Sequence, residues 1–229
     1  MGLPIFGLAP QARLTRWRIA RSVAVVRMAR QAGVPPVAGR PLVLYAGCGS
    51  SLDGTVLAAV AERLFPERVG LVLPPGRNLP ADVVETWDAA LSGPETWIAA
   101  LCDAAAGPSD GRDCWRNLAE LAGRRPDAAF VPLAIRYVGT GGRLPEALIA
   151  FGRPVPGDDG ATADAAGERL SAALAAVQDG LARLAAQPDA TQFATLIRGG
   201  NGGFGDLLRW FGRRSGVAGL RPEGAALDA

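Results

Sequence analysis

The chain has 229 residues, 49% apolar and 20% charged, with a formal charge of +2, a balance that suits one compact domain and excludes disorder or collagen-like repetition. It contains no histidine and all 24 of its basic residues are arginine, which removes imidazole bases, imidazole metal ligands, His-dependent triads and lysine chemistry. A net charge this small gives no bulk attraction for nucleic acid, and no nucleic-acid partner is expected.

Between Leu14 and Arg30 the chain lacks Gly and Pro, and it then meets the breaker Gly33-Val34-Pro35-Pro36. The stretch predicts a helix. At 3.6 residues per turn Arg13, Arg16, Arg27 and Arg30 share one face, with Leu14, Trp17, Val25 and Met28 opposite. Such a helix can lie in a lipid headgroup layer or pack on a sheet. Residues 1–37 therefore read as an N-terminal amphipathic helical segment.

The run Pro41-Leu42-Val43-Leu44-Tyr45-Ala46 reads as a buried strand leading into the turn Gly47-Cys48-Gly49-Ser50-Ser51, followed by a helix over Thr55–Phe65. Further strands are predicted at Val69–Leu73, Trp97–Cys102, Phe130–Val138 and Ala147–Phe151. Helices are predicted at Ala81–Leu91 and Cys114–Ala122. This alternation marks an α/β domain with a largely parallel sheet flanked by helices. Pro154–Gly160 reads as a connector to a long helix over Thr162–Ala186, where Leu170, Leu174, Val177, Leu181 and Leu184 recur at spacings of three and four. The stretch Gly199–Gly203 reads as a hinge before Phe204, Leu207, Leu208, Trp210 and Phe211, which lie beside Arg209, Arg213 and Arg214. That tail suits a membrane surface or a docked helix. Residues 156–229 thus form a helical C-terminal region of the same domain.

No apolar run reaches the ~18 residues of a bilayer span, and the N-terminus lacks the pattern of a secretory signal. The cysteines Cys48, Cys102 and Cys114 are odd in number, have no Cys-x-x-Cys spacing and lack histidine partners. A reducing compartment is expected, and no metal site. Cys102 and Cys114 read as small buried hydrophobes.

The most informative segment is Leu42-Val43-Leu44-Tyr45-Ala46-Gly47-Cys48-Gly49-Ser50-Ser51-Leu52-Asp53-Gly54. Gly47-x-Gly49 after a strand resembles the cofactor-facing loop of S-adenosylmethionine methyltransferases. This chain, however, has Tyr45 and Ser51 where that pattern has an acid and a third glycine, and no carboxylate near Leu73-Pro74. The whole segment also resembles the first motif of the glycerophospholipid acyltransferase family, the lysophosphatidic-acid acyltransferase-like enzymes. In those proteins an apolar strand and small turn carry His-x-x-x-x-Asp into a helix. Here the spacing stands as Cys48-x-x-x-x-Asp53-Gly54. Phe130-Val131-Pro132-Leu133-Ala134-Ile135 is similar to the family's late Val-Pro strand. Arg143-Leu144-Pro145-Glu146-Ala147-Leu148-Ile149-Ala150-Phe151-Gly152-Arg153-Pro154 is similar to a stretch in one bacterial branch. The resemblance covers residues 38–155 in outline, an acyltransferase-like α/β core, and is sharp at 42–54 and 130–154.

The resemblance implies a glycerolipid acyltransferase-like fold and transfer of an acyl group from acyl-CoA or acyl carrier protein, with catalytic positions at Cys48 and Asp53. In the family the His takes the acceptor's proton and the Asp orients it. Cys48 is a poor substitute, because a thiol's reference pKa is about 8.5 and the thiolate is a nucleophile before it is a base. The family's phosphate-binding third motif falls near Trp97–Gly107, which keeps a strand and loses the polar signature. Arg77, Arg112 or Arg116 could supply anion contacts instead.

The expected function is a pseudoenzyme, with no cofactor, peripheral at the cytoplasmic face of a membrane. Its expected partners are a lipid or acyl chain, the membrane surface and a protein to be scaffolded. Acyl transfer using Cys48 as nucleophile or substrate assistance, and the methyltransferase, are the alternatives. Asp53 also has a purely structural role open to it, as a helix cap.

Overall fold

In the computed structural model, the run Leu42–Ala46 is buried on both sides, which is what a near-continuous apolar strand in the middle of a two-faced sheet requires. The structure describes residues 18–37, 39–72, 82–103, 114–139, 144–158, 160, 162–187 and 189–199. The strands are β1 (Val25–Ala29), β2 (Leu42–Cys48), β3 (Val69–Val72), β4 (Thr96–Asp103), β5 (Ala129–Val138), β6 (Glu146–Phe151), β7 (Val155–Pro156) and β8 (Phe193–Arg198). The helices are α1 (Asp53–Leu64), α2 (Val83–Ala90), α3 (Cys114–Arg124) and α4 (Ala163–Ala185). The sheet order is β3-β4-β2-β5-β6-β1-β8, with β7 paired to β5 beside the start of that strand. The block β3-β4-β2-β5 is parallel throughout. Beyond it the sheet is mixed: β6 runs antiparallel to β5, β1 parallel to β6, and β8 antiparallel to β1.

Two apolar layers sandwich the sheet. On one face α1 buries Val56, Leu57, Ala59, Val60 and Ala61 against Leu42, Leu44 and Ala46 of β2 and Val131 and Leu133 of β5. On the other, α2, α3 and the first half of α4 bury Trp87, Leu118, Leu121, Leu170 and Leu174 against Val43, Tyr45, Ile98 and Phe130. The Tyr45 hydroxyl, carried into this layer, donates to the Leu170 carbonyl of α4 at 3.1 Å. Thr162 caps α4 by accepting from the Ala165 amide.

The helix expected from Leu14 to Arg30 is corrected by the structure. Helical residues extend through Ser22, and Val25–Ala29 is a strand with a neighbour on each edge, β6 and β8. Val25 and Val26 favour extended backbone, and pairing on both edges outweighs the 3.6-residue spacing of the arginines. Arg27 faces Glu146 at 3.4 Å across the β1–β6 ladder rather than sharing a helical face with Arg30. The methyltransferase reading also lacks its frame, because β3, the strand that follows β2 in the chain, lies at the sheet edge with β4 between them. The dinucleotide-type order places those two strands side by side. Residues 200–229, and with them the expected aromatic and arginine tail, lie outside the described residues.

Gly152 marks the tightest packing at the end of β6. Its amide donates to the Pro132 carbonyl at 2.9 Å, and a Cβ there would run into Val177 Cγ2 of α4 and lie 2.6 Å from Pro132 Cγ. Gly152→Ala is expected to destabilise the fold by about 1–3 kcal/mol through overpacking, read as a lower urea midpoint. An unchanged midpoint would show that α4 does not press on β6 at this point.

Candidate functional site

The Cys48–Asp53 turn stands at the carboxyl end of β2, between the ends of β4 and β5. From here the chain departs over one face through α1, whereas β4 is entered from α2 on the opposite face. Turns so placed are where open α/β sheets bind ligands. The alternation of β2 sends Leu42, Leu44, Ala46 and Cys48 towards α1. In β5 the same alternation sends Val131, Leu133, Ile135 and Tyr137 to that face. Cys48, Asp53 and Tyr137 therefore meet on one side of the sheet, where Cys48 is half-buried.

Asp53 is 3% exposed. Its Oδ2 accepts from the Gly49 amide at 2.8 Å and the Ser50 amide at 2.7 Å, and its Oδ1 accepts from the Tyr137 hydroxyl at 2.9 Å. Three of a carboxylate's roughly four acceptor directions are thus engaged from within the fold. The turn is further closed by the Asp53 amide on the Ser50 carbonyl at 3.1 Å and the Leu52 amide on Ser50 Oγ at 3.2 Å. The alternative role of Asp53 as a helix cap is not the one the structure shows. Asp53 is the first residue of α1, Leu52 holds the cap position without a side-chain bond, and the carboxylate turns back to the loop amides.

The structure thus joins Cys48 and Asp53 in one turn. Arg116 is exposed on α3, which packs on the far face of the sheet, and so it does not share the side of Cys48 and Asp53. Arg77 and Arg112 lie outside the described residues, as does the end of the expected third-motif region. Tyr137 was not among the candidates from the sequence. The signal for it was the period of two in β5, which places it with Val131 and Leu133 on the α1 face.

Burial, then the Asp53 charge, then the hydrogen bond to it push the Tyr137 phenol far above the ordinary tyrosine range. It stays protonated, a donor to Asp53 rather than a base. A cavity of about 470 Å³ opens at the other end of α1, lined by Ile19, Ala59, Arg63, Leu196 and Arg198 among others, and not by the motif turn. Among the described residues no group of three or more metal-ligating side chains is gathered, and no helix is long and apolar enough to cross a membrane.

Tyr45 is the only other tyrosine, and burial followed by the neighbouring Cys102 also pushes its phenol far up. In the folded protein neither phenol is expected to ionise near pH ~10, whereas in guanidinium both should. Because the unfolded chain sheds these protons first, the two phenols' contribution to stability is fully present below about pH 10 and is lost as pH rises past it. Ultraviolet titration of folded and unfolded protein checks this. A phenol ionising near its ordinary value in the folded state would contradict the burial described.

No family model and no curated protein matches the sequence. Among solved structures, the crystal structure of the 1-acyl-sn-glycerophosphate (LPA) acyltransferase, PlsC, from Thermotoga maritima is similar. The two are 12% identical, over 79% of this chain and 80% of that chain, with a TM-score of 0.45. That likeness is one of outline and says nothing of activity.

Proposed function

We propose that this chain is an acyltransferase-like protein without the standard His-dependent acyl transfer, acting at a membrane surface as a lipid-binding or partner-scaffolding pseudoenzyme. The observation that carries the reading is the use made of Asp53. In the resembled motif that carboxylate orients a base. Here it holds the Gly49 and Ser50 amides and the Tyr137 hydroxyl, and the base position is Cys48. The chain has no histidine or lysine to replace the base, and Tyr137 keeps its proton. What supports a lipid ligand is the motif resemblance at 42–54 and 130–154. Membrane contact rests on the arginine and tryptophan residues near both ends, and a cytoplasmic, inner-face location goes with it.

Incubation with long-chain acyl-CoA and lysophosphatidic acid, followed by mass spectrometry of lipid products and of the intact protein, tests the chemical half. Neither an acylated product nor an acyl increment on the protein is expected. Turnover, or an increment lost in Cys48→Ser, would overturn the pseudoenzyme reading in favour of an active transferase. Flotation with anionic vesicles tests the other half. Recovery with the vesicles at low salt and release at high salt are expected, and failure to float at low salt would remove the membrane role.

A further inference from the structure

Cys102 and Cys114 face away from the motif turn, into the layer formed by α2, α3 and α4. Cys102 is the penultimate residue of β4 and Cys114 the first of α3. Their sulfur atoms lie 2.6 Å apart, already inside ordinary non-bonded contact, while a disulfide needs ~2.05 Å. Cys102 is fully buried, and Cys114 retains 7% exposure. The surroundings, with Tyr45, Leu118 and Trp115, are apolar. Nothing in the acyltransferase-like reading uses either thiol, and the inference stands independently of that reading.

We propose that Cys102 and Cys114 are a redox modification site that forms a reversible intrachain disulfide on meeting a low-molecular-weight disulfide such as oxidised glutathione. The Cys114 thiolate, on the more exposed side of the pair, attacks one sulfur of glutathione disulfide. A Cys114–glutathione bond forms and one glutathione thiolate leaves to take up a proton. Cys102, giving its proton to solvent, then attacks the Cys114 sulfur and expels the second glutathione. Two protein thiols are oxidised and one glutathione disulfide is reduced to two thiols. Cys102 is fully buried whereas Cys114 keeps some exposure, so Cys114 meets the incoming disulfide and Cys102 resolves the mixed disulfide. The bond would fasten the end of β4 to the start of α3. Gly47 and Cys48 of β2 pair in register with Cys102 and Asp103, so this fastening lies one strand from the candidate site.

The full chain, reduced and then held in glutathione redox buffers, is quenched in acid, unfolded and treated with N-ethylmaleimide. Its mass is measured intact and after trypsin. The reduced protein should take three adducts, one for each cysteine, and the oxidised protein one, at Cys48. The tryptic peptides Asn78–Arg112 and Asp113–Arg116 should be joined, and dithiothreitol should separate them. Cys48→Ser should keep the link and Cys114→Ser should lose it. The oxidised chain should also melt several degrees higher, because the bond forms within the native fold and closes a loop of the unfolded chain. Retention of all three thiols, arrest at a glutathione adduct, a bond involving Cys48, a bond between two chains, or a lowered Tm would each overturn the proposal. The wild-type peptide map gives this answer even if a variant fails to fold.

Discussion

A carboxylate removed from water needs donors to replace those it had there, and Asp53 finds them in two places at once. Its Oδ2 collects the Gly49 and Ser50 amides, which the sharp exit from β2 leaves without ladder partners. Its Oδ1 takes the hydroxyl of Tyr137, which arrives from β5. One side chain thus sets the shape of the turn and ties it to a neighbouring strand. Cys48 is held one residue before the first of those amides, so its position follows from the same anchor. Removing the Tyr137 hydroxyl takes a donor from the buried Asp53 carboxylate, a loss larger than the net worth of the bond itself.

The chemistry open to the turn follows from that arrangement. A proton acceptor for an attacking hydroxyl must be both available and positioned. Tyr137 is positioned and stays protonated. Cys48 is positioned, but as a thiol it turns to nucleophilic rather than basic work once ionised. The guanidinium groups that supply all the basic side chains cannot give up a proton in this role. The parallel block β3-β4-β2-β5 presents the turn at the carboxyl end of its strands, the place where open α/β sheets bind ligands.

Much of this was legible in the sequence wherever burial on both faces made an apolar run. β2, β4, β5 and β6, and the helices α1 to α4, stand within a few residues of their expected places. Elements at the far side of the sheet were not. β1 carries Arg27 among its apolar residues and borrows its stability from β6 and β8, which lie more than a hundred residues away in the chain, so local spacing pointed to a helix. β8 has the mixed burial of an edge strand and no clean alternation. At the site, the spacing from Cys48 to Asp53 was visible, but the direction of the carboxylate was not. Whether an acid at a helix start caps the helix or turns back to the loop depends on a partner such as Tyr137, 84 residues later. The meeting of Cys102 with Cys114 likewise depends on α3 beginning where β4 ends in space.

The most direct test of the anchor is a double-mutant cycle between Asp53 and Tyr137, using Asp53→Ala, with Asp53→Asn as the conservative partner, and Tyr137→Phe, each followed by urea unfolding. If the carboxylate and the phenol hold one another, the pair should show a coupling of about 1–3 kcal/mol, with each single change destabilising and the second adding little. Additivity within about 0.5 kcal/mol would contradict the account. It would mean that the turn at Cys48 is shaped by something other than this carboxylate and its link to β5.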